Sequence, residues 1–108
     1  RGSLDAPTTQ AVGANPLCGD RVWVQLRVEP GTVADARFTA DACAVGVASA
    51  AGLTEHVRGM SIDGAAAVAL PWVFGALDGE PPPGRRRCAQ LPLETLKRAL
   101  AALPAGAP

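Results

Sequence analysis

The chain has 108 residues, with ten basic and ten acidic side chains, one His and three Cys. That length suits one hydrophobic core, so a single domain over 1–108 is expected. A net charge of zero removes the electrostatic drive that dominates nucleic-acid binding. No apolar run approaches the ~20 residues that cross a bilayer, and no charged-then-apolar leader is present, so neither a membrane span nor a secretory signal is predicted.

An odd number of cysteines cannot pair fully within the chain, and without a secretory context disulfides are a poor expectation. A cytoplasmic protein with free thiols follows as the expectation. Much of the 48% hydrophobic content is Ala, which predicts a modest core built from close backbone approaches.

Residues 1–20 are rich in Gly, Pro and Thr and read as an extended lead-in, with a short strand near Gln10–Ala14. The chain starts in mid-phrase without Met, so an upstream piece is expected. Across Arg21–Val28, Val22, Val24, Leu26 and Val28 alternate with Arg21, Trp23, Gln25 and Arg27. That is the period of a half-buried strand. Glu29-Pro30-Gly31 supplies a turn, and Thr32–Thr39 returns as the second arm of a hairpin anchored by Phe38.

From Ala44 to Arg58 the residues favour a helix, with Ala44, Val47, Ala48 and Ala51 on one stripe, extended by Leu53 and Val57. Gly59 stops it. Ser61 is an N-cap residue for a second helix through Ala65–Leu70. Pro71 is expected to break or kink it before a further turn over Trp72–Leu77. Asp78–Gly84 is too rich in Pro to be anything but loop. The last helix is predicted over Ala89–Leu103, from the helical spacing of Leu93, Leu96, Leu100 and Leu103. Pro92 fits only its first turn, which puts the helix start near Cys88, and 104–108 reads as a disordered tail. Strands first and helices after predict an α+β fold, with helices packed on one face of a small antiparallel sheet.

Cys18 falls in the loop before the clearest strand, while Cys43 and Cys88 each open a predicted helix. A helix N-terminus carries partial positive charge and free N–H groups, which favour a thiolate. Arg85, Arg86 and Arg87 stand beside Cys88 and are expected to add to that effect. A free Cys is often only a small buried hydrophobe. Three cysteines at element boundaries point instead to a metal-binding or sulfur-handling site, although their spacing matches no zinc-finger or CxxC pattern. A closed tetrahedral site needs a fourth donor, and Asp20 is the candidate, against the plainer reading of a solvated turn carboxylate. His56 lies thirteen residues beyond Cys43, about 20 Å along a helix, and reads as a surface histidine.

The phrases NPLCGDRVWVQLRV, GTVADARF, CAVGVASAAGLTEHVRG and PPPGRRRCAQLPLETLKRAL occur in this order. Together they resemble the IscU/NifU family of iron–sulfur cluster assembly scaffolds, including its SufU branch. The resemblance runs from about Gly2 to Leu100. It implies an α+β fold with a three-stranded antiparallel sheet against a helical layer, here without the family's N-terminal amphipathic helix. It also implies that Cys18, Asp20, Cys43 and Cys88 hold a [2Fe–2S] cluster or iron, with Zn²⁺ as the alternative occupant.

The implied function is assembly of a labile cluster, using sulfur from a cysteine desulfurase and passing the product to apo iron–sulfur proteins. Frataxin-like and ferredoxin partners go with that function, and Cys88 is the expected persulfide acceptor. The alternative is a SufU-like, zinc-dependent sulfurtransferase; a small domain with structural zinc is the plainest reading. This chain departs from the pattern at Ala42, where the family carries Gly, and at Arg87, where IscU members carry His. Pro81-Pro82-Pro83-Gly84-Arg85 replaces the L-P-P-V-K segment offered to an Hsp70-type chaperone, so that partner is not carried over. The insertion that SufU members carry between their second and third cysteines has no room here, and the choice between IscU and SufU stays open.

Overall fold

The computed structural model describes residues 2, 4, 6–15, 19–77, 79, 81 and 86–103. Three strands, β1 (Thr9–Asn15), β2 (Asp20–Glu29) and β3 (Thr32–Asp41), precede four helices. These are α1 (Ala44–Val57), α2 (Ile62–Ala66), α3 (Leu70–Ala76) and α4 (Arg86–Ala101). The sheet is antiparallel in the order β1-β2-β3, as the α+β reading requires. The expected alternation of β2 is borne out: Val22, Val24, Leu26 and Val28 are buried beneath the helices, while Arg21 and Arg27 face outward. Phe38 joins them from β3, and Leu53, Val57, Val73, Leu96 and Leu100 close the core from the helical side.

Pro30 and Gly31 form the β2–β3 turn, and the φ of +71° at Gly31 is the conformation that favours glycine. The strand in the lead-in runs two residues longer than expected, because Thr9 and Asn15 both continue the pairing with β2. An arginine meets each outer strand of the sheet, and the outer flank of β3 is also bonded by Gly2, Gly59 and Met60. Arg58 donates from two guanidinium nitrogens to the Ala36 carbonyl at 3.1 and 2.9 Å, and pairs with Asp35 at 3.1 Å. Arg98 on α4 donates to the Val12 carbonyl of β1.

Three helical details differ from the sequence reading. The buried face of α1 is Gly46, Ser49, Ala50, Leu53, Thr54 and Val57, not the stripe through Ala44, Val47, Ala48 and Ala51. The smallest residues turn inward because α4 approaches there: the buried Ser49 hydroxyl donates to the Ala89 carbonyl at 2.8 Å. The second helix ends at Ala66, and Pro71 sits in the first turn of α3 rather than breaking a longer helix. A first turn has no intrahelical use for the N–H that Pro lacks.

Pro92, expected in a first turn, lies instead inside α4, which already begins at Arg86. It leaves the Cys88 carbonyl without its helical donor. The Pro92 ring is itself fully buried in the core, which offsets part of that loss. The predicted Ser61 cap is present, its hydroxyl accepting from the Gly64 N–H at 2.9 Å. Ser61→Ala should cost about 1 kcal/mol of stability, measurable as a lower urea midpoint. The loop residues 78, 80 and 82–85 and the tail 104–108 lie outside the described residues.

Candidate metal centre

Three segments meet where β2 begins and two helices start. Asp20 is the first residue of β2, Cys43 is the N-cap of α1, and Cys88 lies in the first turn of α4. One carboxylate oxygen of Asp20 and the sulfurs of Cys43 and Cys88 all lie within 4.8 Å of one another. Ligands at ~2.3 Å from a tetrahedral ion stand ~3.8 Å apart, so a small closure would bring these donors onto one metal. Asp20 is not the solvated turn carboxylate of the plainer reading: it is only 7% exposed. Its Oδ2 is buried with no hydrogen-bond partner among the described residues. An orphaned carboxylate oxygen beside two thiols is the arrangement a cation completes.

The structure thus brings together three of the four predicted donors. Cys18 lies outside the described residues; Gly19, which follows it, turns the chain into β2 with a φ of +75°. His56 does not join the cluster, as expected; its ring stacks on Trp72 at 4.0 Å, with the planes 19° apart.

The two thiols are electrostatically unequal. Burial works against the Cys43 thiolate, but N–H donation from Gly46, hydrogen bonding from the Cys88 thiol and N–H donation from Val45 outweigh it. The result lies below the ordinary thiol value of 9.0. Cys88 is pushed up to about 12, first by burial and then by hydrogen bonding and charge repulsion from Cys43 and Asp20.

The expectation is that Arg85, Arg86 and Arg87 favour the Cys88 thiolate; Arg85 lies outside the described residues, and the direction at Cys88 is upward. Arg86 lies over the Phe74 ring at 5.7 Å and Arg87 lines an open groove beside Asn15 and Glu94. Neither is among the groups that set the proton affinity of Cys88. Cys43, the more acidic and the more exposed of the two thiols, is therefore expected to alkylate faster than Cys88 near pH 8. Iodoacetamide labelling followed by peptide mass spectrometry tests this, and equal labelling of the two thiols would contradict it.

Sequence reasoning missed the small residues behind the donors. Gly46 and Ser49 are three apart on α1 and let the start of α4 come close. That spacing of small residues was the available signal, masked by the many alanines around it.

A three-stranded sheet that presents two thiols and a buried carboxylate at the mouths of two helices defines an α+β domain with a candidate metal site. The chain belongs to the NifU-like N-terminal domain family, whose model matches residues 1–106. It is 35% identical over 99 residues to the bifunctional protein NifU/MnmA of Rubrobacter xylanophilus, a match covering 91% of this chain and 20% of that protein. It is also 35% identical over 105 residues to the iron–sulfur cluster assembly scaffold protein IscU of Haemophilus influenzae, covering 93% of this chain and 81% of that one. The chain spans between a fifth and about three fifths of the first curated relatives it matches. In fold it superimposes on a SUF-system protein of Fervidobacterium islandicum with a TM-score of 0.77 at 24% identity, over 93% of this chain and 85% of that one. The sheet and helical layer implied by the resemblance are thereby shown, and no helix among the described residues is long and apolar enough to cross a membrane.

Proposed function

We propose that the domain is an iron–sulfur cluster assembly scaffold, on which iron and sulfur are the cargo. The observation that carries this reading is the convergence of Asp20, Cys43 and Cys88, with an orphaned carboxylate oxygen among them. Cys18 is the proposed fourth donor. Mature iron–sulfur proteins commonly use four thiolates. A carboxylate in one position is a harder, more exchangeable ligand, which suits a cluster that must leave.

Sulfur would arrive as the persulfide of a cysteine desulfurase. The proposed acceptor, Cys88, attacks the terminal sulfur as a thiolate, and the donor cysteine departs as a thiolate, so no external oxidant is needed. This role belongs to the metal-loaded form. Asp20, Cys43 and Cys88 would hold the cation, and its positive charge would offset the negative charge that pushes the Cys88 thiol up. Reducing the transferred sulfur to sulfide consumes electrons, which accords with a ferredoxin-type partner. Apo iron–sulfur proteins would take the product.

The test is iron, zinc and acid-labile sulfide analysis on anaerobically purified protein, followed by a desulfurase assay. Iron with sulfide and visible charge-transfer absorption supports the scaffold. One tightly held zinc with strong desulfurase stimulation would replace it with the zinc-dependent sulfurtransferase. Zinc without stimulation would leave only a structural site. Persulfide mapped to a cysteine other than Cys88 in the metal-loaded protein would overturn the acceptor assignment.

A further inference from the structure

Gly46 is the third residue of α1, within the helix, where alanine would be the better helix former. Its backbone does not take up the left-handed conformation that requires glycine. What the position lacks is space. A Cβ placed there would lie 3.1 Å from the Ala42 methyl, 3.5 Å from the Cys88 carbonyl oxygen and 3.8 Å from Asp20 Oδ2. Those three atoms belong to the three segments that deliver the donors. The last two distances are ordinary contacts; the first is tight, and the neighbour must give by a few tenths of an ångström. A methyl group has no rotamer by which to retreat, so only movement of the peptide carrying Ala42 could relieve it, and that peptide leads directly into Cys43. The Cys88 carbonyl, denied a helical donor by Pro92, lies against the same spot.

We propose that Gly46 is a positioning residue for Cys43: positions 42 and 46 have room for one methyl between them, and the bare position at 46 keeps Cys43 in register with Asp20 and Cys88. The proposal rests on the metal-centre reading above.

The test is titration of the purified, metal-free protein with Co²⁺ alone, read from thiolate-to-cobalt charge-transfer absorption, with far-UV circular dichroism of each metal-free variant. Gly46→Ala should retain its helix content and weaken cobalt binding by about tenfold or more, the usual size of a loss behind a ligand shell. Adding Ala42→Gly to that variant should return the affinity to within about threefold of the native protein, since the two sites are in contact and couple. Gly46→Ala binding within about twofold of native, or a double variant no tighter than Gly46→Ala, overturns the proposal while leaving the metal centre intact. If native protein binds no cobalt, the metal-centre reading fails and the proposal with it. Should Gly46→Ala not fold, recovery of the fold in the double variant supports the same coupling, and a double variant that also fails to fold overturns it.

Discussion

Asp20→Ala is expected to make the metal-free chain more stable by about 1 kcal/mol, because the penalty of the unsatisfied Oδ2, about 1–3 kcal/mol, outweighs the hydrogen bond that Cys88 gives the carboxylate. The native carboxylate is 7% exposed, and its Oδ2 has no partner among the described residues. The same substitution should slow release of a bound cluster, because it removes the hard, exchangeable donor and leaves sulfur ligands only. Urea denaturation of the metal-free protein checks the first part, and transfer kinetics to an apo-ferredoxin check the second. A less stable variant, or unchanged transfer, would show that the carboxylate is held for some reason other than its ligand role.

Gly13→Ala should lower stability by about 3 kcal/mol or more, at the upper end of what overpacking a core does. Gly13 pairs with Val22 in the middle of the β1–β2 ladder. A Cβ at that position would collide with Thr95 Oγ1, and would also come within 3.0 Å of Leu91 Cδ1 and 3.2 Å of Thr95 Cβ. Thr95 cannot swing aside freely: it is fully buried and its hydroxyl donates to the Leu91 carbonyl at 2.7 Å. The remaining relief is for α4 to lift from β1, and α4 carries Cys88. Metal affinity should therefore fall along with stability, although Gly13 is not itself a donor; it pairs two residues along the ladder from Asp20. Thermal melts of Gly13→Ala, with and without Thr95→Ala, test the collision; no recovery in the double variant would place the damage elsewhere.

These two positions show what the sequence makes readable and what it hides. The alternation of Val22 to Val28 dictated a strand and its buried face, and the Ser61 and Gly59 signals marked helix ends, because each effect is local. The donors were readable as residue types at element boundaries. Their unequal acidity was not, since it depends on which thiol lies deeper and which accepts the other's proton. The small residues were the least legible. In an Ala-rich chain, a Gly or Ser facing a neighbouring helix looks like any other filler, and only the packing distinguishes Gly13 and Gly46 from the rest. Pro92 misled for a related reason: a proline inside a helix is disfavoured locally, and burial of its ring in the core is a tertiary effect.

The arginine contacts at the two sheet edges bear on how this domain meets other molecules. A three-stranded sheet has two flanks at which another chain could zip on through its backbone; Arg98 at Val12 stoppers one, and Arg58 at Ala36, with the backbone of Gly2, Gly59 and Met60, stoppers the other. Such charged plugs are a standard guard against runaway sheet growth. On the proposed function, partners would then meet the end of the molecule where the thiols lie through side chains rather than through strand pairing. Removing both plugs, as Arg58→Ala with Arg98→Ala, should raise the concentration dependence of association above that of the native protein; light scattering that matches the native protein would show the plugs to be dispensable.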